Sequence, residues 1–284
     1  MTILVTGASG HLGRLVVDHL LDLGVAPDQI VAGARTPSAI ADLAARGVQT
    51  ARVDYTDAAS LDAALVGVDH LLLVSSSEVG QRAVQHAAVI DAAARAGVEH
   101  LVYTSAPAAT TSALILAPEH KATEEAIVAS GNPATILRNG WYTENYVGAA
   151  QQAAAIGELV ASVGDGRVAS ASRTDYARAA AVVLTEAGHV GKVYELSGDY
   201  AWTFTELAAA ISVALDTTVG YRSVTSEEHA AILGGAGLDE GTIGFVVGLD
   251  TNIRDGLLAV TTGDLARLIQ RPTTPLAEGL AAAL

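Results

Sequence analysis

Ile3-Leu4-Val5-Thr6-Gly7-Ala8-Ser9-Gly10-His11-Leu12-Gly13 is the stretch that decides how the rest of the chain reads. A short apolar strand runs into three glycines spaced GxxGxxG, and an amphipathic stretch of helical period follows from His11 to Leu23. Strand, glycine turn and helix arrive in the order a dinucleotide pyrophosphate needs. Glycine permits the tight turn and lets backbone N–H groups approach phosphate, the helix N-terminus supplies partial positive charge, and Gly13 allows close packing of helix on sheet. The spacing is not the general GxGxxG, and a chain with 28 glycines contains such patterns by chance. Its position directly after the first strand favours a dinucleotide site over a turn used only for packing. Gly7, Ala8, Ser9, Gly10, His11, Leu12 and Gly13 are the expected contacts.

Working outward, Ile30–Ala34, Val48–Val53, His70–Val74, His100–Thr104 and Thr135–Leu137 read as further strands after Ile3–Thr6. Ser38–Arg46, Ala58–Leu65, Gly80–Ala96 and Pro118–Ala129 read as helices between them, the third stopped by Arg95-Ala96-Gly97. Alternating βα units with nearly continuous apolar strands imply an α/β fold, a Rossmann-type doubly wound parallel sheet. After Asn139 the rhythm changes to Gly-rich turns and short helices. Residues 1–139 are therefore expected to form a dinucleotide-binding domain, rejoined by part of 168–190. Residues 140–284 are expected to form a smaller α/β substrate-side domain, with the cleft between the two. Arg173–Ala187 reads as a helix, Val193–Leu196 as a strand, and Thr205, ahead of Glu206, as the N-cap of another helix.

With 284 residues, 50% hydrophobic and no Cys, the chain is neither disordered nor a disulfide scaffold. Its 16 Lys+Arg stand against 31 Asp+Glu, and a net charge of -15 argues against nucleic acid and anionic membrane as partners. Any phosphate must be held locally. Met1–Gly7 is too short for a signal peptide and no stretch reaches the ~20 apolar residues of a membrane span, so a soluble cytoplasmic protein is expected. The eight histidines show no paired ligand spacing, and no Gly-x-Ser-x-Gly elbow occurs, so neither a metal nor a serine nucleophile is expected.

The end of the second strand distinguishes the two nicotinamide dinucleotides. NAD sites place a carboxylate there for the ribose hydroxyls, whereas NADP sites place Arg for the 2′-phosphate. Val31-Ala32-Gly33-Ala34-Arg35 offers Arg35 and no carboxylate, so NADP(H) is the expected cofactor. Reductases of this architecture often use Tyr-x-x-x-Lys, in which Lys lowers the Tyr pKa and Tyr protonates the nascent alkoxide. The only lysines are Lys121 and Lys192, and neither follows a tyrosine at that spacing. In the corresponding helix His120 is the one group suited to acid chemistry near neutral pH, with a packing or loop-orienting role as the alternative. Ser105 ends the fifth strand, either as a site hydroxyl or as a turn residue. Trp141 and Tyr142 follow the sixth strand and could stack on a flat acceptor and hydrogen-bond its oxygen, or seal a core. Without a proton relay, acceptors that take hydride with little immediate protonation fit best.

These residues, with Leu73–Arg82 (Leu-Val-Ser-Ser-Ser-Glu-Val-Gly-Gln-Arg) and Leu137–Tyr146 (Leu-Arg-Asn-Gly-Trp-Tyr-Thr-Glu-Asn-Tyr), resemble the NmrA-like group of atypical short-chain dehydrogenases/reductases. Gly191–Leu196 and Arg271–Leu276 look like later landmarks of the same group, so the resemblance spans essentially the whole chain. Within the group it resembles the bacterial type-2 NAD(P)H:quinone oxidoreductases, with triphenylmethane-dye reductases as relatives. The resemblance implies a flavin-free reductase that binds NADPH and passes hydride to a quinone-type small molecule. It further implies that Arg35 meets the adenosine phosphate, that Ser75 and Ser76 lie along the cofactor, and that Asn139, Gly140, Trp141 and Tyr142 close over its nicotinamide end. His120 and Tyr142 are the candidate catalytic groups. An NADP(H) sensor without turnover, a carbonyl or alcohol reductase and a dye reductase remain alternatives, and a homodimer stays open.

Overall fold

The computed structural model describes residues 1–78 and 80–284; Val79, inside the Ser-Ser-Ser-Glu-Val-Gly motif, lies outside the described residues. In chain order the elements run β1 (Ile3–Val5), α1 (His11–Asp22), β2 (Ile30–Ala34), α2 (Ala41–Ala45), β3 (Gln49–Arg52), α3 (Ala58–Ala64), β4 (His70–Leu73), α4 (Arg82–Ala96), β5 (His100–Ser105), α5 (Ala117–Ser130) and β6 (Ala134–Asn139). They continue with α6 (Val147–Ile156), β7 (Glu158–Ala161), β8 (Arg167–Val168), α7 (Arg173–Thr185), β9 (Val193–Leu196), β10 (Trp202–Thr203) and α8 (Phe204–Ala214). β11 (Gly220–Ser223), α9 (Ser226–Gly235), α10 (Glu240–Arg254), α11 (Asp264–Ile269) and α12 (Leu276–Ala283) complete the chain.

Seven strands form one sheet in the order β3-β2-β1-β4-β5-β6-β9. The order reverses beside β1, which pairs in parallel with both β2 and β4. β9 joins with the same sense, because Ile136 N–H donates to Lys192 O and Gly140 N–H to Leu196 O, so partner numbers rise together. The sheet is therefore the expected parallel, doubly wound α/β arrangement. Alternation along the strands assigns its two faces. Leu4, Val31, Leu71, Leu73, Leu101, Tyr103 and Ile136 share a buried cluster with Leu61 of α3, Val89 and Ile90 of α4 and Ile127 of α5. Ile3 and Val5 point the other way and are fully buried on the face that α1 and α7 cover.

Several boundaries differ from the sequence expectation. Ser38–Arg46 splits into a 3-10 turn over Pro37–Ile40 and a short α2, since Pro at the start favours a tight first turn. α4 starts at Arg82 rather than Gly80, and it stops at Ala96 as expected, with Gly97 as the C-cap whose φ of +73° lets two α4 carbonyls be capped. The N-cap of α8 is Thr203, not Thr205: only Thr203 stands three residues before Glu206, and the two form a reciprocal capping box.

The chain divides into two compact units. The first comprises Met1–Thr110, Pro118–Asn139 and Arg173–Glu195; the second comprises Thr111–Ala117, Gly140–Ser172 and Leu196–Leu284. Inside the second, β7 pairs in parallel with β11 and β8 antiparallel with β10. Tyr146 packs edge-on against Trp202 and Phe204, at ring-centroid separations of 5.1 and 5.9 Å. Asp250 Oδ2 in the same unit accepts from the N–H and hydroxyl of Ser162, at 2.7 and 2.8 Å, and lies 2.8 Å from His229 Nδ1. Among the described residues no helix is long and apolar enough to cross a membrane.

Candidate active site

The glycine turn is built as tightly as its sequence suggests. Gly7 takes φ +61°, Gly10 N–H donates to Gly7 O at 2.9 Å, and Ala8 N–H crosses to Gly33 O at 2.9 Å. Gly10 is the N-cap of α1 and supplies no side-chain cap, so the first N–H groups of α1 stay available to a ligand. A Cβ on Gly13 would lie 2.4 Å from Gly7 O, so only hydrogen fits there. Beside this turn is a cavity of about 460 Å³, lined by Gly7, Ser9–Gly13, Ala34, Arg35, Val53–Thr56, Val74–Glu78 and Gln85. These residues follow the C-terminal ends of β1, β2, β3 and β4, beside the point where strand order reverses, which is where open α/β sheets hold ligands.

The loop after β4 forms one wall and is fastened from beneath. Ser75 N–H donates to Thr104 Oγ1 at 2.9 Å, and Ser76 N–H donates to His86 Nε2 at 3.0 Å. Because a backbone N–H can only donate, His86 Nε2 is bare and Nδ1 carries the proton, which it gives to Thr123 Oγ1 at 2.9 Å. Thr123 in turn donates to Glu119 O. Burial, then the charge of Arg82 and the neighbouring His120, push the His86 pKa down to about 3, so this neutral tautomer persists at physiological pH. Arg82 itself donates to Ser76 O at 2.9 Å and to Glu119 Oε2 at 3.1 Å. On the opposite side the Tyr55 hydroxyl lies 2.5 Å from Thr6 Oγ1 and 2.9 Å from Val74 O, joining the ends of β1, β3 and β4. Burial raises the Tyr55 pKa, which keeps the hydroxyl protonated.

Arg35 reaches the cavity from the end of β2, and its Nη1 donates to Glu78 Oε1 at 2.9 Å. Asp54, just past β3, is a second carboxylate on the lining. The hydroxyl and N–H of Thr56 hold it below the usual carboxylate range, with Arg52 adding to the effect.

The other sequence candidates lie elsewhere. Ala8 is buried beneath the turn and acts through its backbone. His120 is buried in α5, with Nδ1 2.7 Å from the Tyr103 hydroxyl, and burial followed by Arg82 lowers its pKa to about 3. A neutral, enclosed imidazole does not suit a proton donor at neutral pH, and the contact with Tyr103 of β5 fits its packing alternative. Ser105 is also buried, donating to Glu124 Oε1 at 2.6 Å. Asn139 ends β6. Gly140, Trp141 and Tyr142 belong to the second unit, where Gly140 N–H donates to Leu196 O, Trp141 O accepts from Ala171 N–H, and Tyr142 pairs with Ala171 in an isolated bridge.

Residues 1–247 match the model of the NmrA-like family. The chain belongs to that family. Quinone oxidoreductase 2 of Escherichia coli (strain K12) is 47% identical over 278 residues, which is 98% of this chain and 97% of that protein. A crystal structure of an NADPH-dependent quinone oxidoreductase from Escherichia coli, complexed with NADPH, matches with a TM-score of 0.94 at 46% identity, covering 99% of both chains. The Citrobacter sp. triphenylmethane reductase complexed with NADP(H) matches with a TM-score of 0.93 at 38% identity, covering 100% of both chains.

In this NmrA-like chain the sequence reading missed Asp54, Tyr55, Thr56, Glu78 and Gln85 on the cavity wall. The first three had an available signal, since the rule that singled out the ends of β1, β2 and β4 applies equally to β3. Glu78 lay within the family motif without a role. Gln85, a polar residue inside a helix, carried no signal.

Proposed function

We propose that this chain is an NADPH-dependent oxidoreductase that passes hydride directly to a quinone-type acceptor without flavin. The observation that carries this is the cavity: a glycine turn that excludes any side chain at Gly13 faces Arg35 at the end of β2, in a chain nearly half identical to a quinone oxidoreductase along its length. The residues fit NADPH. The N–H groups at the start of α1 would hold the pyrophosphate, Arg35 would pair with the 2′-phosphate, and the fastened Ser75–Ser76 backbone would lie along the cofactor. Bound NADPH supplies the hydride. The first unit is on this reading the cofactor-binding part and the second the substrate side. Asn139 and Gly140 are assigned to the nicotinamide end, Trp141 to stacking on the ring system, and Tyr142 to an acceptor oxygen. With no Tyr-Lys pair in the sequence and His120 neutral, the chain suits acceptors whose reduced form is stabilised by delocalisation. The -15 charge fits a small-molecule partner in the cytoplasm rather than nucleic acid.

Purified protein with no added flavin is expected to oxidise NADPH when benzoquinone or naphthoquinone is supplied, followed as loss of the nicotinamide absorbance. Tight NADPH binding with no turnover across a panel of quinones and dyes would point instead to a cofactor sensor. Arg35→Ala is expected to lower NADPH affinity about tenfold with little effect on NADH. Charge-assisted hydrogen bonds are worth about 1.5–3 kcal/mol, and the exposure of Arg35 places it at the lower end. An unchanged NADPH-to-NADH preference would rule out the assignment of Arg35.

A further inference from the structure

Arg35 does not stand alone at the cavity. Glu78 Oε1 accepts from its Nη1 at 2.9 Å, while Glu78 Oε2 accepts from Gln85 Nε2 at 2.7 Å, and all three residues line the cavity. Gln85 is buried, 6% exposed, so it holds the carboxylate from a fixed point in α4. The Arg35 and Glu78 side chains are 73% and 45% exposed, so water screens their ion pair and its effect on a competing anion is modest rather than prohibitive.

We infer that Glu78 is a specificity-determining residue that narrows the margin between NADPH and NADH by occupying the guanidinium that a 2′-phosphate needs. The inference rests on the reading of Arg35 as the phosphate partner. A phosphate monoester carries about -1.5 to -2 charges at neutral pH. To pair with Arg35 it must displace the carboxylate or share the guanidinium with it, and in either case it approaches a negative group fixed by Gln85. A cofactor with free ribose hydroxyls meets no such opposition, because a carboxylate accepts hydrogen bonds from hydroxyl groups. The arginine that selects NADPH and the carboxylate that opposes it are thus one unit, and the net discrimination is the difference between them.

Glu78→Gln separates the charge from the shape, since an amide oxygen still accepts from Gln85. Binding of NADPH, NADH, adenosine 2′,5′-bisphosphate and 5′-AMP would be measured by calorimetric titration on the full chain. The variant is expected to bind NADPH and the bisphosphate about three- to tenfold more tightly, with NADH and 5′-AMP unchanged or weaker. An NADPH-to-NADH affinity ratio that stays constant or falls in Glu78→Gln would overturn the inference. Arg35→Ala, titrated in parallel, tells the two failures apart. If it collapses the ratio while Glu78→Gln does not raise it, only the role of Glu78 is lost. If it leaves the ratio intact, the reading of Arg35 falls and the inference falls with it.

Discussion

Gly13→Ala is expected to weaken NADPH binding by about hundredfold or more and to destabilise the fold by about 1–3 kcal/mol. The added Cβ would lie 2.4 Å from Gly7 O, 2.7 Å from Gly7 C and 2.9 Å from Thr6 O. All three are backbone atoms and none is free to retreat. Gly7 O accepts from Gly10 N–H, Thr6 N–H is bound to Leu72 O, and Ala8 N–H is bound to Gly33 O. Relief must come from α1 moving away from the turn, which carries off the N–H groups that face the phosphates. Helix propensity alone predicts the opposite sign, because alanine in place of glycine stabilises a helix interior by about 1 kcal/mol. A measured loss therefore reports the clash. Gly10→Ala is the graded control, since its Cβ would meet only Gly7 O, at 3.3 Å. NADPH titration and urea unfolding of both variants provide the comparison, and a Gly13→Ala protein that binds NADPH like the parent would sink the assignment of this turn.

What the sequence disclosed and what it hid divide along physical lines. The βα rhythm and the Gly7–Gly13 turn are local: the residues that make strand, turn and helix are neighbours in the chain, so their order can be read directly. Arg35, Ser75 and Ser76 were reachable because the strand ends of an open sheet converge on one edge, so placing a strand also places the residue that follows it. Applying the same rule to β3 would have added Asp54 and Tyr55. Other features depend on contacts between distant segments. His120 reads as an acid in isolation, and only the Tyr103 hydroxyl against its Nδ1 and its enclosure in α5 show an imidazole held neutral. His86 carried no signal at all, yet its bare Nε2 fixes the Ser76 backbone. The N-cap of α8 is by contrast local: Thr203, three residues before Glu206, has the capping-box spacing that Thr205 lacks.

Arg138→Leu is expected to cost about 3–5 kcal/mol of stability, the range for breaking one side of a buried ion pair. Arg138 comes from β6, and its Nε and Nη2 donate to the two carboxylate oxygens of Glu124 in α5 at 2.9 and 2.6 Å. Its Nη1 donates to Glu195 of β9 at 2.8 Å and its Nη2 to Thr110 Oγ1 at 3.1 Å. One guanidinium thus ties a sheet strand to the helix covering it and to the last strand of the sheet. The hydrogen bonds it donates to Glu124, then to Glu195, raise its pKa beyond the ordinary arginine range. Glu124 is 5% exposed, and without Arg138 its carboxylate keeps the Ser105 hydroxyl as a donor but no cation. Most of the expected cost is therefore the charge left behind rather than the worth of the pair. That distinction can be measured. Glu124→Leu added to Arg138→Leu removes the stranded charge, and the double variant is expected to be more stable in urea than Arg138→Leu alone. A double variant that loses the sum of the two single losses would show that the residues act independently. Arg138 neither lines the cavity nor is assigned to the cofactor, so NADPH affinity of folded Arg138→Leu should match the parent, which separates this loss of stability from the loss of binding expected at Gly13.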